Sequence, residues 1–353
     1  MGQYDYGNTR LRARMSNMLG ADELASYAEL ATIDGFITML TKTPYRESVE
    51  YAITFTHGYA CVTQALQRET ELIYRDIDRF YSGEASERIN LILLRNDLKN
   101  IKAILRGLLH SNPFDEITTS FSTLGTIPEE VLVQIAKSAS VDEAISKMTV
   151  NQLPAAQPLL ELKAEKGIPS GAEMENCLEK WYFHSVGQLI KGSDEDMRLL
   201  REYHTVEADI VNLNTVLRFI SAPQAEEELP GEVDDYLIPF GSLPASRWQL
   251  LARSPSLHEL VQNLSSTRYK HNLLIGLDCY KNTGNLSEFE ANMRTHLLRW
   301  LSRLPRLFPL GIGVPLGYMA RKLSEIRNLR WIAKGIASGF EPVFIKENLE
   351  SVA

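Results

Sequence analysis

Cysteine is scarce in this chain: Cys61, Cys177 and Cys279 stand alone, with no CxxC pair to build a zinc or redox motif and no secretory signal ahead of them. A reducing, cytoplasmic setting is the expectation. Long apolar runs are missing too. The most apolar segment, 308–320, is shorter than the roughly 20 residues a membrane-spanning helix needs, and Pro309, Gly311, Gly313, Pro315 and Gly317 break it. No transmembrane span is expected, so work at a membrane would require docking onto something that spans it. Positive charge is in deficit, with a net charge of −8 and a pI near 5.5. That balance argues against a nucleic-acid partner, which leaves a basic footprint.

Catalytic signatures are equally thin. Gly187-Gln188-Leu189-Ile190-Lys191-Gly192-Ser193 has the first spacing of a phosphate-binding loop but lacks the Lys after its second Gly. Gly311-Ile312-Gly313 follows no strand pattern and reads as a kink between helices, not a dinucleotide loop. None of the seven histidines is placed at i, i+4 to make a helical metal site. His184 and His204 flank a loop and have the option of meeting in space, but read first as surface or internally satisfied groups. Asp76 and Asp78 point about 200° apart on a helix, which is poor for sharing an ion. Asp194-Glu195-Asp196 opens a helix, where acids suit the positive end of the dipole. No catalytic residue, cofactor or metal is expected.

What the chain does have is one helix written three times. Asp97-Leu98-Lys99-Asn100-Ile101-Lys102-Ala103-Ile104-Leu105-Arg106-Gly107 recurs as Asp209-Ile210-Val211-Asn212-Leu213-Asn214-Thr215-Val216-Leu217-Arg218-Phe219. It recurs again as Glu325-Ile326-Arg327-Asn328-Leu329-Arg330-Trp331-Ile332-Ala333-Lys334-Gly335. The copies lie 112 and 116 residues apart. A second marker keeps step, Gly125-Thr126-Ile127-Pro128 and Gly241-Ser242-Leu243-Pro244 being 116 apart, and Gly339-Phe340-Glu341-Pro342 reads as the start of a truncated third copy. Three homologous helical units follow, 1–124, 125–240 and 241–353.

Helical geometry sorts the motif. At about 100° per residue, Leu98, Ile101, Ile104, Leu105 and Leu108 share an arc about 120° wide, the buried face. The acid, Asp97, Asp209 or Glu325, falls inside that arc, where an unpaired carboxylate is costly, so it must cap or bridge to a neighbouring helix. Asn100, Asn212 and Asn328 sit at the edge of the stripe and should bond to a neighbouring turn. The base, Arg106, Arg218 or Lys334, points about 140° from the centre of the arc and is therefore exposed or partner-facing. It cannot pair with the acid of its own motif.

Along the chain, helical periodicity is nearly unbroken and alternating β patterns are nearly absent, so the fold class is all-α. Helices are expected from about 4 to 19, 22 to 31, 34 to 40, 48 to 81 and 85 to 109, with Pro44 ending one of them. The second unit should run 128–136, 141–148, a Pro-rich break at 153–158, then 171–190 and 194–221; the third, 244–253, 257–264, 286–304 and 318–337. The third unit's long helices carry Arg294, Arg299, Arg303, Arg306, Arg321, Lys322, Arg327, Arg330 and Lys334, evenly balanced between a solvated face and a partner surface. The acidic run before it, Glu226-Glu227-Glu228 with Glu232, Asp234 and Asp235, reads as solvated. Trp331 takes the place of Ala103 and Thr215 on the polar side, either as a binding anchor or as filler against the next helix.

The opening Tyr4-x-Tyr6 and Arg10-x-Arg12, the Thr43-Pro44-Tyr45 turn, the stretch 96–107 and the late 312–318 with 325–330 together resemble the C subunit of the archaeal and bacterial A/V-type ATPase, whose eukaryotic relative is the d subunit of the vacuolar ATPase. Asn96 departs from the aromatic common before the acid in that family. The resemblance implies a funnel of three similar units about a pseudo-threefold axis. It also implies a single copy, peripheral on the cytoplasmic face, coupling the D and F subunits of the central stalk to the membrane proteolipid ring without catalysis. Arg106, Arg218, Lys334, Trp331, Arg327 and Arg330 are then candidates for the partner-facing lining. Two other classes stay open: a helical-repeat scaffold unrelated to rotary ATPases, and an all-α enzyme with a site in a central cavity. The enzyme is placed last, because the only internal constellation is repeated three times whereas catalytic sites are usually singular.

Overall fold

The computed structural model describes residues 3–119, 121, 125–221 and 232–350, and every regular element among them is a helix. The Glu226-Glu227-Glu228 run lies outside the described residues. No described helix is long and apolar enough to cross a membrane. The chain divides into two compact units, one made of 1–90 with 297–353 and the other of 91–296. The boundaries expected from the sequence, at 124 and 240, both fall inside the second.

In the first unit the helix Asp5–Met15 lies against Gly58–Phe80 and Gly313–Ala337. Its fit depends on Gly7, where an added Cβ would stand 2.4 Å from the Tyr81 ring. The Tyr81 hydroxyl donates to Asn8 Oδ1 at 2.8 Å, and Asn8 Nδ2 donates to the Gly311 carbonyl at 3.1 Å. Two arginines of this helix tie it to distant parts of the chain: Arg12 donates to the carbonyls of Pro305 and Pro309, and Arg14 pairs with Asp76 at 2.9 Å.

Three differences from the sequence expectation share a cause in backbone chemistry. The helix expected from 318 begins at Gly313, and the Pro-rich break at 153–158 gives way at Ala156 to the helix Ala156–Lys166. Pro315 and Pro158 sit in the first turn, where the missing N–H has no intrahelical acceptor to lose. Conversely, 48–81 is two helices, Arg46–Ile53 and Gly58–Phe80, with the chain extended at His57 and Gly58 at φ +58° where the second begins. The helix Lys270–Thr283 has no counterpart in the expected set.

In the second unit the repeated helices Gly83–Leu109, from Leu91 onward, and Glu195–Ser221 bury the apolar arc and expose the base. Leu98, Ile101, Ile104 and Leu105 are buried and Arg106 is exposed. A buried ion cluster also stands here. The Arg95 guanidinium bonds to Glu179 and, at 2.7 Å, to Glu207, while Lys102 reaches Glu179 at 2.7 Å. Burial works to raise the Glu179 carboxyl, but Arg95 and then Lys102 outweigh it and hold it down at about 2.

Candidate functional site

The buried acids of the repeat are clasps on backbone turns. Asp97 accepts the Thr126 N–H at 2.9 Å, the Thr126 hydroxyl at 2.6 Å and the Ile127 N–H at 3.0 Å. These donors form the turn that leads into the helix Glu129–Ala136, so the carboxylate satisfies amides at a helix entrance. Asp209 does the same one repeat later, accepting the Ser242 N–H at 2.7 Å and the Ser242 hydroxyl at 2.6 Å ahead of the helix Ala245–Ala252. Gly125 and Gly241 make room for the approach: a Cβ there would lie 2.1 Å and 2.5 Å from the carboxylate oxygens. The second marker of the repeat is thus the receptor of the first.

Glu325 acts on the chain's own beginning. Its Oε2 accepts the Leu19 N–H at 2.7 Å, just ahead of the helix Ala21–Tyr27. Copy one holds the turn before Glu129–Ala136, copy two the turn before Ala245–Ala252, and copy three the turn before Ala21–Tyr27. The Gly339-Phe340-Glu341-Pro342 marker therefore plays a different part from Gly125 and Gly241. It ends the helix Gly313–Ala337, with Gly339 at φ +70° and the Phe340 N–H bonded to the Gly335 carbonyl at 2.9 Å. Its counterpart is Ser111 at φ 55°, where the Asn112 N–H meets the Gly107 carbonyl at 2.8 Å.

The asparagines make a second clasp. Asn212 donates to the Ile238 carbonyl at 2.8 Å and accepts the Ile238 N–H at 2.6 Å; Asn328 repeats both bonds with Glu350, at 2.9 and 2.7 Å. Asn100 is equally buried. In both pairs the side-chain amide imitates a neighbouring strand for one residue of chain.

Two of the three acids carry a tyrosine as well, which the motif alone did not reveal. The Tyr269 hydroxyl donates to Asp209 at 2.6 Å and the Tyr45 hydroxyl to Glu325 at 2.5 Å. Burial, reinforced by the adjacent carboxylate, pushes both phenols above their ordinary range and keeps them donors. The signal for them was present in Thr43-Pro44-Tyr45 and Thr267-Arg268-Tyr269, turns that precede helices at matching places in two repeats. Lys322 adds a buried charge to the Glu325 clasp, bonding to it at 2.9 Å, approaching Glu69 at 3.8 Å and standing 3.9 Å from the centre of the Tyr45 ring.

The exposed candidates fall into two classes. Arg106 pairs with Glu175 at 2.6 Å and Arg218 with Glu290 at 3.4 Å, both with more than half of the basic side chain exposed. Lys334 and Arg330 are exposed and have no ion-pair partner among the described residues. Arg327 and Trp331 turn inward: Arg327 bonds to Glu350 at 2.9 Å, and the Trp331 indole donates to the Ile345 carbonyl at 3.1 Å while its ring packs on Phe340 and Phe344. Of the two histidines flanking the loop, His184 is exposed and His204 is buried, its Nε2 3.1 Å from the Phe183 carbonyl. No group of three His, Cys, Asp or Glu among the described residues is arranged to hold a metal.

Known proteins share this chain from end to end. The family described as ATP synthase (C/AC39) subunit matches residues 7–348. The C subunit of the A-type ATP synthase of Thermococcus gammatolerans is 26% identical over 355 aligned positions, covering 98% of this chain and 89% of that protein. That of Methanosarcina barkeri is 27% identical, covering 98% and 92%. That of Methanocaldococcus jannaschii is 23% identical, covering 100% and 87%. A match reaching from the first helix through the third copy of the repeat places the chain in the ATP synthase (C/AC39) subunit family.

Proposed function

We propose that this protein is the non-catalytic member of a rotary A-type ATPase that couples the D and F subunits of the central stalk to the membrane proteolipid ring. It is present as one copy, held at the cytoplasmic face through its partners. The observation that carries the reading is the family match over 7–348, together with relatives that are C subunits of A-type ATP synthases, matched along almost their whole length. In this reading the three repeats, 1–124, 125–240 and 241–353, form a funnel about a pseudo-threefold axis. The clasp order supports that arrangement, since the acid of the third copy reaches back to a turn of the first unit, at Leu19, as the acids of the first two copies reach forward to Thr126 and Ser242.

The funnel must carry torque and still release its stalk, which favours polar contacts over an obligate apolar surface. Arg106, Arg218 and Lys334 supply such contacts at equivalent exposed places, and Arg330 adds an exposed charge one turn before Lys334. Calorimetry of the purified chain with a purified D–F complex should give one-to-one binding that weakens as salt rises. Charge reversal at Arg106, Arg218 and Lys334 should weaken binding at low salt and flatten its salt dependence. Unchanged binding would remove those three from the interface. Failure to bind the stalk at low salt, combined with failure to co-purify with a proteolipid ring, would remove the coupling role itself.

A further inference from the structure

The three acids of the repeat have unequal surroundings, and the difference leaves a site. Tyr45, Ala155 and Tyr269 occupy one structural place: each is the helical-backbone residue that caps the N-terminus of the helix following a turn, Arg46–Ile53, Ala156–Lys166 and Lys270–Thr283. They are 110 and 114 residues apart, close to the period of the repeat. At two of these places a phenol ring fills the interior and its hydroxyl meets the acid. At the third the side chain is a methyl group.

At that place lies a pocket of about 400 Å³, lined by Asp97, Thr126, Ile127, Ala155, Trp181 and Val186, and also by the exposed Leu189. An apolar cavity of about 150 Å³ is enough for a benzene ring, so this one has room for a ring with a hydroxyl and a para substituent. Asp97 is buried at its wall and accepts from three donors, Thr126 N–H, Thr126 hydroxyl and Ile127 N–H. The Thr126 N–H is shared between the two oxygens, 2.9 Å from each, so Oδ2 can give up its half of that bond to a donor arriving from the pocket while Oδ1 keeps the amide.

We infer that the pocket beside Asp97 binds a para-substituted phenol, the ring lying against Ala155, Trp181 and Val186 and the hydroxyl donating to Asp97. The ligand takes the part that Tyr45 and Tyr269 play in the other two copies. It comes either as a free phenol or as the tyrosine of another polypeptide entering past Leu189.

The test is titration of p-cresol into the full chain with labelled alanine and isoleucine methyls, followed by nuclear magnetic resonance. Shifts confined to Ala155, Ile127 and their neighbours are expected. Toluene, which lacks the hydroxyl, should bind about ten-fold more weakly, the worth of one hydrogen bond to a charged group. The variant Ala155→Tyr should abolish p-cresol binding and raise Tm by about 3 °C. N-acetyltyrosinamide separates the sources: binding with the same methyl shifts supports a polypeptide tyrosine, and binding of p-cresol alone supports a free phenol. No shift at Ala155 with millimolar p-cresol, or toluene binding as tightly as p-cresol, would overturn the inference. Should Ala155→Tyr fail to fold, the methyl shifts and the toluene comparison on the natural chain still decide.

Discussion

The clasps at Asp209 and Asp97 hold the same kind of turn with the same kind of carboxylate, yet a tyrosine closes one and a pocket opens beside the other. Asp209 takes its third hydrogen bond from the Tyr269 hydroxyl; Asp97 takes it from the Ile127 backbone. The lesson is that the carboxylate's grip on the turn is the common feature and the aromatic plug is separable from it. A buried carboxylate demands several donors, but the helix entrance supplies enough of them when no phenol is present. Glu325 extends the comparison, with Lys322 joining Tyr45 beside its longer side chain.

The comparison breaks hardest at Tyr269. Tyr269→Ala should cost about 4 kcal/mol in denaturant unfolding, because it empties a filled site and removes a donor from a buried acid. Tyr269→Phe should recover about half of that loss, keeping the ring and losing only the hydroxyl. A cost for Tyr269→Ala below about 1 kcal/mol would mean that the plug adds nothing the turn does not already supply.

Acid should act on the two clasps in opposite directions. Burial holds His204 down at about 4, against an ordinary value of 6.5. His204 packs on Phe240, the residue before the Gly241 turn that Asp209 grips. The unfolded chain takes up this proton as pH falls below about 6.5 while the folded chain resists until about 4, so stability is lost across that window, by about 3 kcal/mol. His204→Gln should flatten that part of the stability profile in urea titrations at pH 7 and pH 4.5. Asp97 works the other way. Burial raises its carboxyl despite the bonds from Thr126 and Ile127, so on acidification the folded chain takes up its proton more readily than the unfolded chain and gains stability.

A smaller effect separates the glycines. Gly125→Ala should cost about 2 kcal/mol, since the new Cβ would displace the Asp97 carboxylate. Gly20, beside the Leu19 amide that Glu325 holds, meets nothing within 4 Å, so Gly20→Ala should stay within about 0.5 kcal/mol. Equal costs would place the Glu325 clasp closer to the other two than its geometry indicates. Smallest of all, Arg106→Ala and Arg218→Ala should each change stability by no more than about 0.5 kcal/mol, as exposed ion pairs do.

Much of this was legible in the sequence because helical periodicity carries it. The all-α class, the repeat and the burial of an acid inside an apolar stripe all follow from positions three and four apart. What the acid grips was less legible, since a side chain bonding to backbone 29 residues away, as Asp97 does to Thr126, leaves only a loose mark. Gly125 and Gly241 were visible as markers; their role as clearance for a carboxylate needed the coordinates. Leu19 was invisible, because an amide donor has no residue type. Gly339 misled for a related reason: a glycine ending a helix and a glycine making room for an acid look alike when followed by a proline three residues on. The Arg95, Glu179 and Glu207 cluster stayed hidden because its members come from three different helices and are of different residue types, although Arg95 and Glu207 stand 112 residues apart, each two places before the acid of its copy.

The most direct test of the clasp order is amide hydrogen exchange at Thr126, Ser242 and Leu19 in the natural chain and in Asp97→Asn, Asp209→Asn and Glu325→Gln. Each substitution is expected to speed exchange at its own receiving amide, with Glu325→Gln acting on Leu19 near the start of the chain while Thr126 and Ser242 keep their rates. Protection at Leu19 that is indifferent to Glu325 would contradict the closure of the third copy onto the first.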